Sequence, residues 1–398
     1  MTSLKEKIQQ LAKNQLQEVI DIRREIHQHP ELAFKEFRTA ELISKKLTEY
    51  GIEHKTGIAK TGVVGLIKGT NPDSYVVALR ADMDALPITE KNNPEYKSQN
   101  PGVMHACGHD AHTAALLGAA KILNTLKDQF AGTIKLIFQP SEEEFPGGAK
   151  IMIEEGVLQN PKVDIIIGQH VYPQMKAGDI GMKTGNYMAS TDELHLTVKG
   201  KGGHGALPEQ NIDPVLIASH IVVAMQQVVS RISSPSMPTV VSFGRIIGEG
   251  RTNVIPDEVT LDGILRTFNE EWRQQAQQKI IQIAKGIAES MGGDCEVVID
   301  PGYPVLKNDK IITEQTRSFA NSFIGEQAVH NLDYRMTAED FAYYSHKIPA
   351  CYYRLGVRNE EKGITSALHS ATFDIDESSL ETAIGLMSWV TINHLSKK

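Results

Sequence analysis

Eight consecutive residues, His105-Ala106-Cys107-Gly108-His109-Asp110-Ala111-His112, carry three histidines, a thiol and a carboxylate. Cys107 and His109 stand two positions apart, so an extended or turning backbone can point both at one centre. Thiolate and imidazole together suit a borderline-soft divalent ion, zinc first, with manganese, cobalt or nickel also compatible. No second cysteine pair lies nearby, which speaks against a zinc ribbon or an electron-transfer centre. Singly, each residue reads more readily as a polar helix-start group or a buried cysteine. Their density favours a ligand set.

Three apolar, β-rich runs end in residues of the same chemical type. The run 75–79 leads into Arg80-Ala81-Asp82-Met83-Asp84, 133–138 into Gln139-Pro140-Ser141-Glu142-Glu143-Glu144, and 163–167 into Gly168-Gln169-His170. In open α/β sheets the ligand crevice lies at the carboxyl ends of the strands, so these groups are expected to converge beside Cys107 and His109. Each alone is a solvated loop charge; three together are a site. Adjacent glutamates serve a hydrolase well, one binding metal while its neighbour accepts a proton from water.

The elements that must position these groups follow from periodicity. Ser3-Leu4-Lys5-Glu6 is a capping box, and apolar residues at helical spacing carry the first helix to about His29-Pro30, where proline ends it. Runs at 63–67, 75–79, 133–138 and 163–167 alternate with helical stretches at 113–126 and 148–155. Nearly continuous apolar strands of this kind imply an α/β layer with a mostly parallel sheet. After residue 187 the texture changes to one-sided strands, 194–198, 239–246, 259–268 and 295–299, with helices at 214–229 and around 276–291. The order β-α-β-β-α-β is that of a ferredoxin-like unit. The chain is therefore expected to hold a discontinuous metal-binding domain, 1–186 with 302–398, interrupted by an α+β unit at 187–301. Strand 194–198 is a candidate exposed edge for pairing with another chain.

Composition sets outer bounds. The 398 residues carry 41 Lys+Arg against 49 Asp+Glu, a formal charge of −8, with 41% hydrophobic and 23% charged residues. That is ordinary globular usage, long enough for two or three domains, and not that of a disordered or fibrous chain. An acidic balance disfavours nucleic acid and anionic membranes as partners. Three widely spaced cysteines are no disulfide framework, the charged start lacks the apolar stretch of a signal peptide, and no uninterrupted apolar run nears the ~18 residues of a membrane span. A cytoplasmic location is the expectation. Gly200-Lys201-Gly202-Gly203-His204-Gly205 matches a dinucleotide fingerprint in form only. Residues 207–213 separate it from the helix it should open, and no acidic residue ends a strand about 20 residues on. The alternative is a flexible loop carrying His204 to a neighbouring surface.

These residues resemble, essentially from end to end, the dinuclear-metal family of aminoacylases, N-acyl-amino-acid amidohydrolases and carboxypeptidases. Within it they are most similar to the branch of hippurate hydrolases and indole-acetyl-amino-acid hydrolases. The resemblance rests on Arg23-Arg24-Glu25-Ile26-His27-Gln28-His29-Pro30-Glu31-Leu32, on 80–87, 104–112, 139–143 and 200–208, on Asn253-Val254-Ile255-Pro256, on 336–341, and on Ser366-Ala367-Leu368-His369-Ser370.

The resemblance implies a zinc-peptidase-like catalytic domain, a ferredoxin-like lid and dimerisation domain, and two divalent ions per chain (zinc, manganese, cobalt or nickel). Cys107, His109, Glu143, His170 and His369 become the ligands, with Cys107 between the ions. Glu142 becomes the general base and Asp84 the carboxylate that orients a ligand histidine. His204 becomes the oxyanion donor, and in relatives it comes from the other subunit of a dimer. Asn253 and Arg266 become the clamp on the substrate carboxylate, with a surface salt bridge as the plain alternative for Arg266. Asp82 stands where most of the wider family has a ligand histidine, and Glu144 where the branch has glycine. Gln139-Pro140 fixes the register that makes Glu142 the base.

Of the other histidines, His54, His195, His220, His330, His346 and His394 read as surface or satisfied core groups, and His27 and His29 as structural. His105 and His112 read as supports of the site. The expected activity is hydrolysis of N-acyl amino acids to a carboxylic acid and an amino acid, by a homodimer or higher oligomer. A dipeptidase, an aminopeptidase or an N-acetyl-diaminopimelate deacetylase would use the same chemistry. A binding protein that has lost catalysis, or a nucleotide-dependent oxidoreductase, are the alternatives from other classes.

Overall fold

The computed structural model describes residues 3–396, which form two compact units. The first runs to Gly185 and takes up Lys307–Asp333 and the chain from Asp340 onward; the second is Asn186–Leu306 with Tyr334–Glu339. The insertion thus ends at Leu306, not at residue 301, and regains a segment that no periodicity marks. Backbone bonds explain why: Ala189 donates to the Arg335 carbonyl and Arg335 to the Tyr187 carbonyl, both at 3.0 Å.

The first unit is built on an eight-stranded sheet in the order Glu53–Ile58, Gly62–Lys68, Thr133–Gln139, Val76–Asp82, Ile165–Lys176, Ala350–Arg358, Ile180–Met182, Val329–Asn331. The four central strands are mutually parallel, and antiparallel pairing is confined to the flanks. Val76–Asp82 and Thr133–Gln139 are buried at every position, which accounts for their largely apolar character. The first helix is Leu4–Gln28, with Ser3 and Glu6 forming the expected capping box. It packs with helices His109–Thr125 and Ser379–Ser396. The helices meet closely at Gly118, where an added Cβ would lie 2.6 Å from Val19 and 2.7 Å from Ile384.

A buried ion network joins these helices. Arg23, with no exposed side chain, donates from Nε to Asp110 Oδ2 at 2.7 Å and reaches Asp374 at 2.8 Å and Glu377 at 3.3 Å. His27 Nδ1 lies 2.8 Å from the same Asp110 oxygen. Burial opposes the Asp110 charge, yet Arg23 and His27 hold its carboxyl far below the usual carboxylate range. Removing one member of a buried pair strands the other. Arg23→Met is therefore expected to cost about 3–5 kcal/mol in a denaturant titration, and an unchanged unfolding midpoint would refute that coupling.

The second unit has the ferredoxin-like order: strand Asp192–Lys199, helix Pro214–Gln227, strands Thr239–Ile247 and Glu258–Thr267, helix Glu270–Ser290, strand Asp294–Pro301. Its sheet runs Thr239–Ile247, Glu258–Thr267, Asp192–Lys199, Asp294–Pro301, antiparallel throughout. The strand at 194–198 is consequently interior and not an edge; the edges are Thr239–Ile247 and Asp294–Pro301. The crossover topology puts the first strand of the unit at its centre, which one-sided alternation cannot reveal. Pro214–Ile232 is long and apolar enough to cross a membrane by length and composition alone. Here it buries Ile217, Ala218, Ile221 and Met225 in the core of this unit.

Candidate metal centre

The site grows out of the ends of the central parallel strands in the first unit. Pairing between Val76–Asp82 and Ile165–Lys176 runs from Val77↔Ile165 to Arg80↔Gly168 and stops there. Past that point the second strand continues beside Ala350–Arg358 alone, with His170 opposite Arg354. His170 therefore sits inside a strand that extends to Lys176, well past the run predicted at 163–167. The helix expected at 113–126 starts earlier, at His109, so His109 and His112 occupy its first turn. Gly108 makes this start possible: its φ is +84°, and a Cβ would come 2.5 Å from Val171 Cγ2.

Asp84 follows the first of these strands. Its Oδ1 accepts from His109 Nδ1 at 3.0 Å, and its Oδ2 accepts the Glu143 N–H at 2.9 Å. That fixes the orientation of the His109 ring and leaves Nε2 buried without a hydrogen-bond partner, placed to ligate once deprotonated. His170 is set in the same way: Nδ1 donates to the Val171 carbonyl at 2.7 Å, and Nε2 faces Cys107 Sγ at 3.5 Å. His369 enters from another loop at φ +60°, pinned by its N–H on the Ala106 carbonyl at 2.8 Å. Its Nε2 lies 3.1 Å from Glu143 Oε1.

These side chains form overlapping three-donor groups whose ligand atoms lie within 4.8 Å of one another: Cys107 with His109 and His170, Cys107 with Glu143 and His369, and His109 with Glu142 and Glu143. Cys107 belongs to the first two, as a donor shared between two centres would. Glu144 is exposed and belongs to none, so the three consecutive glutamates resolve into an inward pair and an outward neighbour. Asp82, His109 and His112 also approach one another. That group is closed, however. His112 Nδ1 lies 2.6 Å from Asp82, its Nε2 accepts the Val171 N–H at 2.8 Å, and Arg80 donates to Asp82 at 2.6 Å. Asp82 thus orients a structural histidine.

The electrostatics follow from burial and charge. Burial works against ionisation of Asp82, but His109, Arg80 and His112 hold its carboxyl well below the usual range. Burial raises the Cys107 thiol, and the Glu143 carboxylate raises it further. Hydrogen bonds to Cys107 and Glu143 push His369 up to about 10. Burial, then the Arg354 charge, hold His170 well below the ordinary histidine value, so it is neutral. Sulfur, imidazole and carboxylate donors, two histidines with Nε2 directed inward, and an unpartnered buried Nε2 on His109 fit a borderline divalent ion.

The remaining site residues of the sequence lie in the second unit. His204 is exposed on the short strand Gly203–His204, opposite Val254, and its Nδ1 accepts the Ala206 N–H at 3.0 Å. Asn253 is adjacent, its carbonyl accepting the Gly205 N–H at 2.9 Å. The glycine loop therefore builds a two-stranded ribbon, and the following helix opens separately at Asp213. Arg266 stands apart from both, on strand Glu258–Thr267, donating to the Met336 carbonyl at 3.0 Å. Among the described residues it forms no salt bridge.

Sequence reasoning missed a buried bracket around Glu142. Asp340 accepts from Arg80 at 2.7 Å, from Gln139 at 2.7 Å and 2.9 Å, and from the Ala149 N–H at 2.9 Å. Its own N–H points at Glu142 Oε1 at 3.4 Å. The available signal was Arg80 itself, because a cation at the end of a fully buried strand demands carboxylate partners.

The family model for peptidase family M20/M25/M40 matches residues 78–390, and the chain belongs to that family. It is 44% identical over 307 residues to an N-acyl-L-amino acid amidohydrolase from Geobacillus stearothermophilus, covering 77% of this chain and 82% of that one. It is 40% identical to thermostable carboxypeptidase 2 from Saccharolobus solfataricus, covering 91% and 92%. A crystal structure of a Bacillus subtilis protein, described as a dinuclear metal binding peptidase from the M20 family, superposes with a TM-score of 0.83 at 35% identity, covering 97% and 100%.

Proposed function

We propose that the protein is a metal-dependent amidohydrolase that cleaves N-acyl amino acids to a carboxylic acid and a free amino acid. The observation that carries this reading is Cys107 shared by two donor groups, with the Glu142–Glu143 pair beside them. Cys107, His109, His170, Glu143 and His369 would hold two divalent ions. Bound ions supply Lewis acidity, polarising the amide carbonyl and lowering the pKa of water in the site.

The chain's own groups do the rest. Glu142 takes the proton of the attacking water and returns it to the leaving nitrogen as the C–N bond breaks. Asp84 keeps His109 in the tautomer that ligation needs. His204 accepts at Nδ1 from Ala206 and so carries its proton on Nε2, the donor form an oxyanion contact requires. Arg266, half-buried and without a salt bridge among the described residues, is matched to the substrate carboxylate; Asn253 stands apart from it, beside His204. Zinc suits the sulfur-containing donor set best, with manganese, cobalt or nickel as the alternatives. The cell compartment is proposed to be the cytoplasm. A homodimer is proposed as the working form, supported by exposed Val215, Leu216 and Val223 on helix Pro214–Gln227.

A panel of N-acetyl and N-benzoyl amino acids tests the substrate class. Release of free amino acid is the expected result, and a metal-replete protein inert on the whole panel defeats it. The relative named as a carboxypeptidase favours a second reading, a dipeptide or peptide substrate, so dipeptides and N-acetyl-diaminopimelate belong on the same panel.

A further inference from the structure

Glu36 is a fully buried carboxylate that the chemistry above leaves unused. Its Oε1 accepts two backbone N–H groups, from Phe34 at 3.0 Å and from Ser141 at 2.9 Å, and its Oε2 accepts the Thr61 hydroxyl at 2.6 Å. Every one of these partners lies in or beside left-handed backbone: φ is +57° at Phe34, +49° at Ala59, +75° at Lys60 and +50° at Ser141. Residues with side chains hold that region only where the surroundings over-determine them. Burial, reinforced by the Asp84 carboxylate, pushes the Glu36 carboxyl up to about 7. A group retained against that penalty is there for the bonds it makes.

Ser141 is the residue immediately before the glutamate pair. The turn is tied at Ser141 N–H to Glu36, at the Ser141 carbonyl to the Gly148 N–H at 2.7 Å, and at Glu143 N–H to Asp84 at 2.9 Å. Glu142 hangs between the two carboxylate anchors. We propose that Glu36 is a positioning residue for the hydrolytic site, setting the left-handed turn at Ser141 that delivers Glu142 and Glu143 to the metal groups. It acts through the Ser141 backbone. The proposal rests on the reading of Glu143 as a ligand and Glu142 as the base.

The test compares Glu36→Ala with Glu36→Gln, measuring zinc content and zinc affinity after refilling, and then kcat and KM. Glutamine keeps an oxygen for the Phe34 and Ser141 N–H groups and offers its amide to Thr61, so it preserves the turn without the charge. Glu36→Ala is expected to weaken zinc affinity by about 10–100-fold, as loss of a group that orients a ligand does. Its kcat is expected to fall by about 10²-fold with KM little changed, while Glu36→Gln recovers most of both losses. Zinc affinity needs no substrate, so this readout stands even if the substrate class is wrong. Wild-type zinc affinity in a folded Glu36→Ala protein overturns the proposal, as does an unchanged kcat or a Glu36→Gln protein as impaired as the alanine variant. If Glu36→Ala does not fold, Glu36→Asp replaces it. That side chain keeps the charge but is one methylene short of Ser141, and wild-type zinc affinity and kcat in it are equally decisive against.

Discussion

Glu142→Gln is expected to lower kcat by about 10²–10⁴-fold while leaving metal content at the wild-type level. The carboxylate belongs to the donor group with His109 and Glu143, yet it is absent from the group in which Glu143 meets Cys107 and His369. The Asp340 N–H points at Glu142 Oε1 at 3.4 Å. Asp340 is itself held by Arg80, Gln139 and Ala149, so the backbone beside Glu142 is fixed and sets where its carboxylate stands. That arrangement suits a group that must accept a proton and pass it on. Glutamine keeps the shape and the acceptor oxygen but cannot take the proton. The corresponding Glu143→Gln variant should instead lose metal, because Glu143 meets the thiol and His369. Equal metal loss in the two variants would mean that the assignment of base and ligand is wrong, and near-normal turnover of Glu142→Gln would sink the mechanism.

The parts of this site that periodicity and residue type can express were legible in the sequence. Asp84, Glu142 and Glu143 follow buried strands, His109 opens a helix with Cys107 just before it, and His170 comes soon after an apolar run, so the rule that strand ends converge brings them together before any coordinates exist. His369 is different. It stands on an irregular loop at positive φ, its N–H on the Ala106 carbonyl, and only the family resemblance pointed to it. Arg80–Asp340 and Glu36–Ser141 span 260 and 105 residues. Pairings of that range leave no local pattern, only the demand that a buried charge find a partner. The interior place of strand Asp192–Lys199 was hidden for a related reason: alternation reports which face is wet, whereas the neighbours of a strand are set by crossovers. The start of helix His109–Thr125 was misjudged because a left-handed Gly108, with no capping side chain, opens it.

Chelator treatment is expected to bring activity down to that of a buffer blank, and refilling with zinc, manganese, cobalt or nickel to restore it, with protons released as metal enters. Without metal, the site is a set of competing charges. Burial and Glu143 keep the Cys107 thiol protonated, and hydrogen bonds to Cys107 and Glu143 hold His369 as an imidazolium up to about pH 10. Burial opposes a charge on His109, but the Asp82 carboxylate and the hydrogen bond to Asp84 raise its pKa well above the ordinary value. Ligation needs the thiolate and the neutral rings, so these protons must leave when an ion arrives. Lowering the pH favours the protonated, metal-free form, and apparent affinity should therefore fall as pH falls. Calorimetry of metal uptake in buffers of different ionisation enthalpy reads the proton release directly. Because the unfolded chain cannot assemble Cys107, His109, Glu143, His170 and His369 in one place, each ion should also stabilise the fold. At about a thousandfold excess over its dissociation constant the gain is about 4 kcal/mol per ion, visible as a rise in melting temperature on refilling. Turnover that survives complete stripping, or metal uptake without proton release and without thermal stabilisation, would remove the metal centre from the mechanism.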